Sequence, residues 1–131
     1  MGNRQALIVM DMQNGIVSGL KQKDSVIHFN KQAINFARQQ NIPVIFIRVA
    51  FTGSNLEVLL RGLQVEHLVL TGVSTSGVVL STATEAADKD YKLTILSDAI
   101  TDQDEEKHQF LLNKILTRYA DIITTDLWTS K

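Results

Sequence analysis

Four short runs of branched and apolar residues, Ala6–Met10, Val44–Val49, Leu68–Leu70 and Leu93–Leu96, recur along the chain with helical patterns between them. Runs of this kind suit strands covered on both faces, because a sheet with one wet face would place a polar residue at every second position. A fifth run, Ile122–Thr125, is a weaker version of the same pattern. Between the runs, Asp24–Gln40 carries Val26, Phe29, Ala33, Phe36 and Ala37 in one stripe that Ile27 and Ile34 widen, and Asn41 and Pro43 close it. Ser54-Asn55-Leu56-Glu57 reads as a capping box that opens a short helix through Leu59, Leu60 and Leu63. Ser74, Thr75 or Ser76 can cap a further helix running to about Asp90. Asp102-Gln103-Asp104-Glu105 places acids in the first turn of a last helix, with Lys114 and Arg118 near its end, so charge complements the helix dipole at both termini. Strand alternating with helix predicts an α/β fold, a mainly parallel sheet with helices on both faces and right-handed crossovers.

At 131 residues and 44% hydrophobic content, one domain covering residues 1–131 is the simplest organisation. Thirteen basic and fourteen acidic residues leave a net charge of -1, which gives no electrostatic basis for nucleic acid or an anionic membrane as the main partner. A small-molecule ligand or another protein fits that balance better. The chain has no cysteine, which removes disulfides, thiolate metal sites and any thiol nucleophile of its own. No apolar run approaches the ~20 residues of a membrane span. The start, MGNRQALIVM, lacks a secretory pattern, so a cytoplasmic location is the default expectation. His28, His67 and His108 form no HxH, HExxH or DxH unit, and no metal site is expected. Gly72–Gly77 reads GVSTSG, without the dinucleotide GxGxxG or a phosphate-loop lysine, and no cofactor is expected either.

Parallel α/β sheets bind ligands outside the carboxyl ends of their strands, near the switch in strand order. Asp11 directly follows the first run. A carboxylate there can act as a general base or orient another group, or it can simply cap the next turn. The segment Leu70–Val79 leaves a strand, passes through a small polar turn and enters an apolar helix. Amides at such a start favour an anion or a developing oxyanion, with Ser74, Thr75, Ser76 and Gly77 as the binding residues, and small side chains let a ligand approach. The plainer reading is that Ser74, Thr75 and Ser76 only cap the helix. Asp98, after the fourth run, is read as holding loop backbone through its side-chain oxygens. Trp128 is read as a packing residue or a subunit contact.

Three blocks in this order resemble the isochorismatase-like cysteine hydrolases, a family that includes nicotinamidases and related amidases: Ala6–Asn14, Phe51–Leu56 and Leu68–Thr75, the last continuing through Thr82-Ala83 and Asp90-Tyr91 to Ser97-Asp98-Ala99. The resemblance implies a three-layer α/β/α sandwich, a Rossmann-like isochorismatase fold, with a catalytic Asp-Lys-Cys triad. Asp11 matches the aspartate. In the family's Gly-x-x-Thr-x-x-Cys-Val pattern Gly72, Thr75 and Val79 match, which puts Val78 where the nucleophilic cysteine belongs. Valine cannot attack a carbonyl, so thioester chemistry by the family route cannot run on this chain. The wording Ser76–Thr82 resembles a branch that carries Gly-Val in place of the cysteine. The family lysine precedes the Phe51 block. Here Ile45-Phe46-Ile47-Arg48-Val49 runs straight into Ala50-Phe51, so a segment between residues 49 and 50 is lacking relative to the family, either in a short variant or because the sequence omits part of a longer protein. Arg48 is either a replacement cation or an end-of-strand residue. The resemblance also implies a non-proline cis peptide between Val73 and Ser74.

Three functions follow as alternatives. The chain is a divergent hydrolase in which Asp11 activates water, with Ser76 a conceivable but histidine-less nucleophile. Or it is a non-catalytic binding protein for a small carboxylate or amide. Or it has a structural role, with the pocket vestigial. A homo-oligomer is expected because family members often associate and an uncovered sheet edge offers free backbone groups.

Overall fold

The computed structural model describes residues 4–12, 23–47 and 56–130. Five strands, β1 (Gln5–Met10), β2 (Val44–Ile47), β3 (His67–Val73), β4 (Lys92–Thr101) and β5 (Asp121–Ile123), form one sheet in the order β2-β1-β3-β4-β5. Every pairing is parallel. The helices are α1 (Lys23–Gln39), α2 (Leu56–Gly62), α3 (Leu80–Asp88), α4 (Glu105–Phe110) and α5 (Thr125–Thr129). A wide π turn, Thr75–Val79, precedes α3, and α4 is prolonged by a π turn and a short 3₁₀ turn to Arg118.

The apolar runs follow from coverage on both faces. Ala6, Ile8 and Met10 of β1 join one buried cluster with Leu56 and Leu60 of α2, Ala83 and Ala86 of α3, and Leu111, Leu112 and Leu116 beyond α4. Leu7 and Val9 point to the other face, where Ala33 and Ala37 of α1 and Trp128 of α5 close a second cluster. This is a three-layer α/β/α sandwich. Each large side chain so buried contributes about 1.5–3 kcal/mol, which is why the central strands read as unbroken hydrophobic stretches.

β4 is longer than its apolar run, and its pairing with β3 slips: Leu70 is opposite Ile95, but Gly72 is opposite Ile100. The slip also changes which face each parity serves. Leu93 and Ile95 lie in the first cluster and Leu96 in the second, whereas after the irregularity Ala99 lies in the second and Ile100 in the first. A bulge inserts residues without pairing them and so resets side-chain alternation. Ser97 and Asp98 sit in this bulged stretch.

Some sequence expectations change. β2 is expected to be buried on both faces, yet it forms the sheet edge and Phe46 is 60% exposed. Its expected end, Arg48 and Val49, lies outside the described residues, as do the Ser54-Asn55 half of the capping box and the junction at residues 49 and 50. The fifth strand stops at Ile123, because the Thr124 side chain accepts the Leu127 N–H and starts α5, a helix the sequence pattern does not announce. Asp102 is not in the last helix. Asp104 is its N-cap, accepting from Lys107 N at 3.0 Å, and Glu105 and Glu106 supply the acidic first turn. α1 ends as expected, with Asn41 in the left-handed region at φ 59.

Candidate functional site

The order β2-β1-β3 makes the gap between the carboxyl ends of β1 and β3 the switch point of the sheet, where parallel α/β folds form a ligand crevice. Asp11 leaves β1 there in a left-handed conformation, φ 53, with its N–H donated to the Ile47 carbonyl at 2.8 Å. Aspartate tolerates that conformation better than most residues. Across the gap Met10 is paired with Gly72. Gly72 has φ 117, and a Cβ placed on it would stand 2.0 Å from the Met10 carbonyl oxygen. Only glycine permits this approach, which seats the exit of β1 beside the exit of β3.

Beyond Gly72 the Val73–Ser74 peptide is cis, as the family resemblance implies. Ser74 then accepts two amide bonds on its carbonyl, from Gly77 N at 3.1 Å and Val79 N at 3.3 Å. Gly77 breaks the helical path at φ -103, ψ -112, and a Cβ there would lie 2.7 Å from Ser74 Oγ. Val78 packs partly buried against the first core cluster, and Val79 is fully buried.

The middle of the turn is held by the segment that opens α4. Asp102 Oδ2 accepts both the Ser76 N–H at 2.8 Å and the Ser76 Oγ–H at 2.6 Å, while Oδ1 accepts the Asp104 N–H at 3.1 Å. Burial pushes the Asp102 carboxyl up, but the bonds from the Ser76 side chain, the Ser76 amide and the Asp104 amide outweigh it and hold the group below the ordinary carboxylate value. Thr75 is fully buried, and its Oγ1 lies 2.7 Å from Nδ1 of His108, itself only 6% exposed. Burial lowers the His108 pKa, against the opposing charges of Glu105 and Asp102, so the imidazole is neutral at pH 7.

The fold therefore brings Asp11 and Gly72 together across one strand pair and carries Ser74, Thr75, Ser76, Gly77 and Val78 on the following turn. Ser76 has Asp102, not a histidine, as its partner; Thr75 has the histidine. Sequence reasoning misses Asp102 and His108 as members of this neighbourhood, because their partners lie 26 and 33 residues away. Asp98 does hold backbone: its Oδ1 accepts Thr125 N at 2.9 Å and Thr125 Oγ1 at 2.6 Å. Trp128 packs edge-on against Phe36, ring centroids 4.9 Å apart, and donates to Gln5 Oε1 at 3.1 Å. Arg48 lies outside the described residues. No helix among the described residues is long and apolar enough to cross a membrane.

The isochorismatase domain model matches residues 49–126, which include the turn, Asp102 and His108 but not Asp11. The isochorismatase family protein YaaI of Bacillus subtilis is 35% identical over 77 residues, 59% of this chain and 42% of that protein. Maleamate amidohydrolase of Pseudomonas putida is 29% identical over 75 residues, 57% of this chain and 35% of that enzyme. The matches thus span less than half the length of these curated relatives. Among solved structures, an isochorismatase family protein from Burkholderia thailandensis superposes with a TM-score of 0.88 at 24% identity, covering 96% of this chain and 94% of that one. The nicotinamidase of Staphylococcus aureus gives 0.81 at 18% identity, with 93% and 98% covered. At such identities the likeness is one of fold. Since the family match itself extends over more than half of the sequence, the chain belongs to the isochorismatase family.

Proposed function

We propose that this chain is a divergent, hydrolase-like member of the family that binds a small carbonyl or carboxylate compound at the rim of Asp11 and Ser74–Gly77 without forming a covalent intermediate. The observation that carries the reading is that the chain has no cysteine, and in this reading Val78 stands at the position of the family cysteine. Around that position lie a carboxylate at the β1 exit, a glycine-dependent approach of β1 to β3, and a turn of small residues after the cis peptide. Amidase names among the relatives suggest amides as the first compounds to try.

Any residual turnover runs through water activated by Asp11, because Ser76 is paired with a carboxylate whose basicity is depressed and which is a poor acceptor for a nucleophile's proton. Amides, esters and vinyl ethers should be offered to the full chain, with turnover followed alongside intact mass. The proposal expects no acyl adduct and loss of any turnover in Asp11→Ala. An adduct on this chain, or full activity in Asp11→Ala, would refute it. Val78→Cys is expected to restore little, since residues 44–56 contain no lysine to complete a triad. Turnover rising to that of a cysteine hydrolase in this variant would overturn that expectation.

The reading includes one domain over residues 1–131 that lacks a segment between residues 49 and 50, cytoplasmic residence and self-association. Exposed Phe46 on the edge strand β2 supports the last. Light scattering after size exclusion would reveal a dimer or larger assembly, and a monomer at all concentrations would reject it.

A further inference from the structure

The turn Ser74–Gly77 leads into a helix, and the amides at a helix start ordinarily favour an anion. Much of that capacity is already spent. The Gly77 and Val79 N–H groups are donated to the Ser74 carbonyl at 3.1 and 3.3 Å. The Ser76 N–H is donated to Asp102 Oδ2 at 2.8 Å, and the Ser76 hydroxyl to the same oxygen at 2.6 Å. Asp102 thus takes the place on the Ser76 amide that an anionic ligand would occupy, and a negative charge supplied by the chain itself offsets the positive end of the helix dipole.

That charge persists at neutral pH. Burial opposes ionisation of Asp102, but the bonds from the Ser76 side chain, the Ser76 amide and the Asp104 amide outweigh it. Lys107 supports the charged form with the least effect, and no ion pair joins it to Asp102. His108, the titratable group on Thr75, is kept neutral by burial and brings no positive charge to the turn. Asp11, beyond the Met10–Gly72 pair, adds a second carboxylate to the rim. A ligand carboxylate on the turn would meet the like charge of Asp102, whereas an amide of the same shape would not.

We propose that Asp102 is a specificity-determining residue of this rim: its carboxylate, clamped on Ser76, disfavours ligands that present a carboxylate to the turn and reserves the site for uncharged carbonyl compounds. The inference rests on the rim being the ligand site, and it narrows the ligand class to the uncharged member of each carbonyl and carboxylate pair. A carboxylate formed there from an amide or ester is disfavoured in the same way.

The test uses the full chain with two matched pairs of probes, acetamide with acetate and benzamide with benzoate, which differ in charge far more than in shape. Binding is followed at pH 7 and low salt through the backbone amide NMR signals of Ser74–Val79. In the parent, each amide that binds should bind more tightly than its carboxylate. Asp102→Asn keeps an acceptor for Ser76 and removes the charge, so the ratio of amide to carboxylate affinity should fall about three- to tenfold, the scale of one like-charge contact at a partly exposed site. A purely structural role for Asp102 would weaken both members of a pair together and leave the ratio unchanged. Added sodium chloride should lower the ratio in the parent by screening, a measurement that needs no variant. Carboxylates that bind as tightly as their amides, a ratio unchanged in Asp102→Asn, or a ratio that does not fall with salt would each overturn the proposal while leaving the rim as the ligand site. No saturable shift at Ser74–Val79 with any of the four probes would refute the rim itself, and this inference with it.

Discussion

Replacing Gly72 with alanine tests the arrangement that places Asp11 beside the turn. The added methyl would stand 2.0 Å from the Met10 carbonyl oxygen, 2.6 Å from its nitrogen and 2.8 Å from its carbonyl carbon. All three are backbone atoms of the central strand, paired on both sides to β2 and β3, so no flexible side chain can yield. The φ of 117 adds a conformational cost of about 1–3 kcal/mol for a non-glycine residue. Forcing a carbon into packed backbone adds about 1–3 kcal/mol more, and more still if β1 and β3 must part. A total of about 2–6 kcal/mol is a large share of the roughly 5–15 kcal/mol that stabilises an ordinary domain. Urea unfolding followed by far-UV circular dichroism should show the midpoint falling steeply or the variant failing to accumulate folded. Gly62→Ala is the matched control, since nothing lies within 4 Å of a Cβ there and Gly62 ends α2. It should be neutral or stabilising by up to about 1 kcal/mol. If Gly72→Ala stays within about 1 kcal/mol of the parent, the close approach of β1 and β3 at the rim is wrong.

Asp102→Ala leaves the Ser76 amide and hydroxyl without their acceptor and should cost about 1–3 kcal/mol by chemical denaturation. The folded-state pKa of Asp102 is depressed, so its contribution is present above the ordinary carboxylate value and lost as pH falls through the folded value; the gap between parent and Asp102→Asn should therefore close in acid, below about pH 4. A gap that persists there would deny the linkage. The His108 pKa is lowered, so the folded state resists its protonation, and the parent should lose stability as pH falls from about 7 toward 5. His108→Gln should flatten that slope, and an unchanged slope would place its origin elsewhere. Trp128→Ala removes the Phe36 contact and the bond to Gln5, with an expected loss of about 3–5 kcal/mol in the unfolding free energy. A loss under about 1 kcal/mol would show that α5 does not seal the second core.

The central strands were legible because burial on both faces leaves one solution for residue type, and Ala6–Met10, Leu68–Leu70 and Leu93–Leu96 all lie inside observed strands. α1 was equally plain, since a helix of its length repeats its apolar stripe several times and its caps are local. Local rules also placed Asp11 and Gly72 at strand exits. What they could not give was the pairing of Met10 with Gly72, the edge position of β2 or the parity reset in β4, since these depend on which strand lies beside which. The same limit hid the brace around the turn. Ser74, Thr75 and Ser76 read as helix caps or ligand contacts, while Asp102 and His108 read as helix-start acid and isolated histidine; only the packing of α4 against the end of β3 joins them. The sequence by itself determined the central strands, the long helix α1 and the absence of any cysteine, because propensity, capping and the presence of a thiol are properties of residues and near neighbours. Tertiary structure alone decided the partners of Thr75, Ser76 and Trp128, because a hydrogen bond or ring contact across dozens of residues leaves no periodic trace in the chain.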